Sequence, residues 1–377
     1  MSEDGARQTH HSILLDARLL HYNRAGIGRY IRHLYTAMAS VCASRRDAGD
    51  YRPATITVLY HRKDRERALA GAWPRSAVAW TPAHHRLERW ALAAEAARLR
   101  PRLLHAPDHV CPQPLGWRTV VTVHDLAFLR YPATHSQASR AYYAGLQRSV
   151  RQATRVICVS EATKRDLLQA TGVDERKLRV VHEAPDPAYA AAGSPAPAAR
   201  PYFIFVGAIE PRKNLETAFR ALAMLSKPGR PEFLIVGAPG WGAAPILSLP
   251  AALGVEQEVR FLGRLPTAQV AALYRGATAL VYPSLLEGFG LPVLEAMAAG
   301  APVIASNRAS IPEVAGDAAE LVDPTDAGAL AAAMERVASC AAYRDDLRRR
   351  GQARARQFSW ERAACETLAV FEEALAA

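Results

Sequence analysis

Cysteine is sparse in this 377-residue chain. Cys42, Cys111, Cys158, Cys340 and Cys365 are odd in number, and none forms a CxxC pair. That excludes a disulfide framework and a zinc ribbon, and leads us to expect a reduced, cytoplasmic protein. The opening residues, MSEDGARQTHH, contain no apolar core of a secretory signal. The long uncharged stretch Phe233 to Val255 is broken by Gly237, Pro239, Gly240, Gly242, Pro245, Pro250 and Gly254. A bilayer span cannot easily satisfy its backbone through so many breaks, so this stretch reads as a strand followed by a loop. Aromatic residues are only 7% of the chain and no zinc-finger or other nucleic-acid motif is present, so no nucleic acid is expected as a partner. No Asp-x-Asp pair occurs, so no bridging metal is required, and no cofactor is expected.

What is present is an ample apolar content, 50%, with 22% charged residues. This suits a soluble chain long enough for two domains. Charge is uneven: residues 1–197 carry 29 Lys+Arg against 17 Asp+Glu, or +12, and the remainder sums to −1. The excess favours an anionic partner, such as a phosphorylated substrate or an acidic membrane touched peripherally. Arginine-rich composition with scarce lysine is the blander source of part of it.

Short apolar runs alternate with helical patterns, as in βα units around parallel sheets. Strands are predicted at Ile13–Leu15, Thr55–Tyr60, Leu103–His105, Thr119–Val123, Arg155–Val159 and Leu178–Val181, with helices at Leu87–Leu99, Ser139–Gln152 and Thr163–Thr171. The run Ala190–Pro201 has almost no large apolar side chain and reads as a linker. A second series follows, with strands at Tyr202–Val206, Glu232–Val236, Val259–Phe261, Ala279–Tyr282 and Pro302–Ala305. The expected fold class is α/β, two Rossmann-like doubly wound domains facing a cleft. Their expected bounds are 1–197 and 198–357, with 358–377 a closing helix.

The most informative string is PSLLEGFGLPVLEAMAAGAPVIASN, Pro283 to Asn307. A strand leads into a glycine-flanked loop and then a helix. Pro292 suits the first helical turn, and open N–H groups there favour a phosphate. Glu287 precedes the helix and Glu295 lies within it; a carboxylate can accept both hydrogen bonds of a vicinal diol. A second string, FVGAIEPRKN, ends Phe205 to Asn214 with adjacent cations Arg212 and Lys213 and a candidate N-cap, Asn214. In the first half, Gly26 and Gly28 of AGIGRY fall between the first strand and first long helix, where the backbone can approach a pyrophosphate. His124, in VTVHDLAF, sits at the carboxyl end of a strand.

These strings resemble the retaining GT-B glycosyltransferases of family 4, whose hallmark is two glutamates with seven residues between them in EGFGLPxLEAMAxGxPVIxS. The resemblance spans nearly the whole chain. It implies that Glu287 contacts the donor sugar, that Glu295 holds the ribose, and that backbone amides around Gly288, Phe289, Gly290 and Leu291 face the sugar and phosphates. It makes Arg212 and Lys213 a diphosphate clamp, although Ala208 and Ile209 stand where some relatives carry an arginine. His124, supported by Asp125, would contact the donor sugar and cradle developing oxocarbenium charge. Gly263 and Arg264 would meet the base. The GIGRY and HDLAF strings are similar to a mannosyltransferase-like branch. That implies a nucleotide-sugar donor, GDP-mannose ahead of a UDP-glucose-type donor, and a polysaccharide or lipid-linked oligosaccharide acceptor. Alternatives are a sugar-nucleotide epimerase or a phosphorylase of the same fold, or a non-catalytic basic protein binding nucleic acid or membrane surface.

Overall fold

The computed structural model describes residues 12–22, 26–47, 55–85, 87–130 and 145–377. Seven parallel strands form the first sheet: β1 (Ser12–Asp16), β2 (Thr55–His61), β3 (Ser76–Ala79), β4 (Leu103–Ala106), β5 (Arg118–Val123), β6 (Arg155–Cys158) and β7 (Leu178–Val180), in the order β3-β2-β1-β4-β5-β6-β7. Six form the second: β8 (Tyr202–Val206), β9 (Glu232–Val236), β10 (Val259–Gly263), β11 (Ala279–Tyr282), β12 (Val303–Ser306) and β13 (Glu320–Val322), in the order β10-β9-β8-β11-β12-β13. Central strands such as β4, β11 and β12 are buried at every residue, the pattern of parallel sheets covered by helices on both faces. The covering helices are one-sided. Leu215–Met224, for example, buries Leu215, Ala218, Phe219 and Leu222 at helical spacing.

The last helix, Trp360–Ala376, packs on the Gly26–Asp47 helix and on β4, β5 and β6 of the first sheet. Trp360, Ala364, Leu368 and Phe371 join the core of the first sheet, and the Trp360 indole donates to Pro185 O at 3.1 Å.

Several local expectations are corrected. The stretch after β9 is a helix, Ala243–Ala252, with Pro250 inside it; its run of Ala, Leu and Ile sustains a helix that the flanking glycines and prolines obscured. Strands β3 and β13 were not anticipated; both are short edge strands, each with one buried residue and so without an apolar run. The helix expected at Thr163–Thr171 begins at Glu161, capped by Ser160, whose Oγ accepts from Thr163 N at 3.0 Å. Asn214 adopts a left-handed φ of 55° and makes no side-chain cap; its amide instead donates to the carbonyls of Pro283 and Pro324. Of the expected helix Ser139–Gln152, Leu146–Gln152 is helical; 139–144 lie outside the described residues.

Candidate active site

In each sheet the strand order reverses at one point, between β1 and β4 and between β8 and β11. Crevices beyond the carboxyl ends of strands form at such points. The two face each other across a cavity of about 360 Å³.

The second domain's wall centres on Glu287. Its Oε1 accepts from Lys213 Nζ at 2.6 Å, Ser284 Oγ at 2.5 Å and Tyr282 OH at 2.9 Å, and its Oε2 from Arg212 at 3.3 Å. Burial alone would push this carboxyl up. The charges of Lys213 and Arg212 outweigh it and bring Glu287 down to about 2. Two cations share one carboxylate, so the cost falls on Lys213, whose ammonium is lowered by burial and by Arg212. Lys213 lines the cavity, whereas Arg212 turns to Glu210, Leu286 O and Glu287 and does not.

Gly288 is the point of closest approach between the domains. A Cβ there would collide with the carbonyl of His124, and Gly288 O accepts from Ser160 Oγ at 2.6 Å and Thr163 Oγ1 at 3.1 Å. Gly290 follows with φ 105°, conformational space that favours glycine. Helix Leu291–Ala298 then starts with no side-chain cap; Pro292 has no N–H and Val293 N donates to Gly290 O at 2.9 Å, so the Leu291 N–H is the first-turn group left to meet an anion at the cavity. Phe289, Gly290, Leu291 and Pro292 all line the cavity. One turn on, Glu295 is almost wholly buried and pairs with Arg29 of the first domain at 3.0 Å. Burial outweighs Arg29 and raises the Glu295 carboxyl to about 7.

On the first domain's wall, Gly26 lines the cavity but belongs to the first turn of the Gly26–Asp47 helix, and Gly28 is buried in that helix. The expected glycine loop is thus a helix start. His124 follows β5. Its Nε2 lies 2.9 Å from Pro107 O and its Nδ1 3.1 Å from Glu183. A carbonyl and a carboxylate only accept, so this setting favours the ring with hydrogen on both nitrogens, the imidazolium. Burial lowers its pKa, and Glu183 more than offsets this, so the net shift is upward. The expected support, Asp125, is corrected to Glu183; Asp125 instead accepts from Ala127 N at 3.0 Å. Gly263 and Arg264 do not line the cavity. They end β10, two strands from the reversal at β8 and roughly 10 Å away at the usual strand spacing.

Sequence reasoning missed Arg29, Asp108, His109 and Glu183, all on the cavity wall. Asp108 and His109 follow β4, joined at 2.6 Å. Glu183 follows β7. Position just past a strand's carboxyl end is the signal that marks all three.

The glycosyl transferases group 1 family matches residues 191–354, and the Glycosyltransferase Family 4 family matches residues 24–189. The O-antigen chain mannosyltransferase B of Escherichia coli is 30% identical over 302 residues, covering 77% of this chain and 78% of that protein. The chain belongs to glycosyltransferase family 4. A D-inositol 3-phosphate glycosyltransferase of Salinispora tropica is 33% identical, over 76% of this glycosyltransferase and 67% of its own length. Among solved structures, sucrose-phosphate synthase from Thermosynechococcus elongatus superposes with a TM-score of 0.78 at 22% identity, covering 97% and 99% of the two chains. Anabaena HepE, in complex with UDP and glucose, gives 0.73 at 18% identity, covering 96% and 100%. Both share the GT-B fold with this glycosyltransferase. Among its described residues no helix is long and apolar enough to cross a membrane.

Proposed function

We propose that this glycosyltransferase moves a hexose with retention from a nucleoside-diphosphate donor to a polysaccharide or lipid-linked oligosaccharide, with GDP-mannose the leading donor. The observation that carries this reading is the convergence of Glu287, Lys213, Glu295 and an open helix N-terminus on one cavity. Glu295 would accept the ribose hydroxyls and Glu287 the hexose hydroxyls. The mannosyltransferase named among the relatives supports mannose. The UDP-glucose-type donor is the second reading, favoured by HepE, which is described with UDP and glucose.

In the chemistry we propose, the bond from the anomeric carbon to the diphosphate oxygen breaks. The acceptor hydroxyl attacks from the same face, and its proton passes to the departing oxygen. Of the carboxylates across the cavity, Glu183 is tied to His124 and Asp108 to His109, which disfavours a covalent intermediate. Lys213 and the Leu291–Ala298 helix start offset the charge growing on the diphosphate without a metal, with Arg212 behind them on Glu287. As an imidazolium with both N–H groups engaged, His124 adds positive charge to that end of the cleft, a role better suited to the leaving group than to an oxocarbenium. The positive first domain is proposed to hold the enzyme peripherally at an anionic membrane, on the cytoplasmic side.

A thermal-shift panel of GDP, UDP and ADP sugars in EDTA tests the donor. A ligand at a hundred times its Kd adds about 2.7 kcal/mol, so GDP-mannose is expected to raise Tm most. A larger rise with UDP-glucose selects the second donor, and no rise with any sugar nucleotide ends the reading. The anomeric configuration of the product, read by NMR, tests retention.

A further inference from the structure

The cleft is short of positive charge for the ligand assigned to it. Its lining holds five carboxyl groups, Asp108, Asp125, Glu183, Glu287 and Glu295, against two basic side chains, Arg29 and Lys213, with His124 as a third. The Lys213 ammonium is already held by Glu287 and Tyr282, and Arg212 faces away. A nucleoside diphosphate adds more negative charge, so a further cation has to turn towards it.

Arg29 is placed to do so. It stands in the first turn of the Gly26–Asp47 helix, its side chain is 40% exposed, and its guanidinium holds Glu295 at 3.0 Å. Glu295 is four residues into the Leu291–Ala298 helix, roughly 6 Å along the axis from its open start. A swing of the arginine side chain covers that distance, and a guanidinium fork matches phosphate oxygens in pairs. The partner it would leave is the carboxylate proposed to take the ribose hydroxyls.

We infer that Arg29 exchanges partners when the donor binds: the ribose replaces it on Glu295, and the released guanidinium closes over the diphosphate from the first domain, opposite Lys213. The inference rests on the assignment of Glu295 to the ribose. It makes Arg29 a diphosphate ligand that also signals, across the cleft, that the nucleotide is seated. No bond is made or broken in the exchange, and the empty protein keeps Glu295 paired until the ribose arrives.

The test is calorimetric titration of GDP and of UDP into the parent protein, Arg29→Gln, Glu295→Gln and the double variant, with melting curves to show that each is folded. Arg29→Gln is expected to weaken the better-bound nucleotide about tenfold or more, the range of a charged hydrogen bond. It should do so by a larger factor in the Glu295→Gln background, where Arg29 has no ion pair to give up before it reaches the diphosphate. Arg29→Lys, which keeps the charge without the fork, should fall between. If Arg29 only positions Glu295, its loss costs nothing once Glu295 is Gln, and the inference is overturned. Affinity unchanged by Glu295→Gln removes the ribose assignment and the exchange with it, whatever Arg29→Gln does. A parent protein that binds neither nucleotide overturns the donor reading itself.

Discussion

The two walls of the cleft are built in different ways. The second domain's wall comes almost entirely from two short stretches, 206–213 and 282–295, and its charges are balanced inside that domain around Glu287. The first domain's wall is assembled from the start of the Gly26–Asp47 helix and from one or two residues each beyond the ends of β4, β5, β6 and β7. What joins them is a small set of cross-domain contacts. Gly288 meets His124, Ser160 and Thr163, Arg29 meets Glu295, and Glu313 accepts from His182 and from the N–H groups of Glu161 and Ala162. The comparison teaches that one wall is arranged by local folding, while the other is arranged by the order of strands in its sheet and meets it at these few contacts.

The largest effect should come from breaking the locally folded wall. Lys213→Met removes the cavity-facing cation and leaves Glu287 with Arg212 as its remaining ion-pair partner. Transfer rate should fall by about 10²–10³ if the lysine acts like one donor of an oxyanion site. Stability in denaturant should fall by about 1.5–3 kcal/mol, the range of one hydrogen bond to a charged group, since Glu287 keeps Arg212. A rate loss below about tenfold would move the burden of the diphosphate to the first wall.

The second effect tests closure. Gly288→Ala places a methyl against the His124 carbonyl, backbone that cannot step aside. The domains must part, and a displacement of about 1 Å can cost about 10²-fold in rate. We expect turnover to fall by about 10–10² while each domain keeps its melting behaviour, with small-angle scattering showing a more open molecule. Gly290→Ala sharpens the contrast: its φ of 105° and its neighbour Ile311 are both internal to the second domain, so the damage should appear as a lower melting point without opening.

Legibility in sequence follows the same division. Glu287, Glu295 and the 288–292 backbone were readable because strand, loop and helix lie in one unbroken string, and spacing alone puts both carboxylates beside one helix start. The alternation of apolar runs and helical patterns was enough to place eleven of the thirteen strands. Arg29, Asp108, His109 and Glu183 were not readable, because they come together only through the order of strands in the sheet. The setting of Gly26 and Gly28 was misread for a local reason: glycines usually mark a loop, and here they open a helix. His124 was found, but its charge state depends on Glu183, fifty-nine residues away in the chain.

The smallest effect separates Glu295 from the ion pair around Glu287. The folded protein holds Glu295 at about 7, against an ordinary 4.5, with burial as the main cause. Between those two values the folded state binds the proton that the unfolded chain has released. Stability from this group is therefore whole below pH 4.5, falls as pH rises through 7, and is flat above. Glu287 works in the opposite sense: held at about 2, its contribution is present at neutral pH and is lost only as pH falls through its lowered value. Glu295→Gln removes the first slope and leaves the second. Relative to the parent, it should gain about 1–2 kcal/mol between pH 5 and pH 8 in denaturant unfolding, at about 1.4 kcal/mol per pKa unit and less than the full shift because water relaxes the site. Parallel curves for the two proteins would mean that Arg29 keeps Glu295 ionised throughout, and that the two walls are as tightly paired across the cleft as the second wall is within itself.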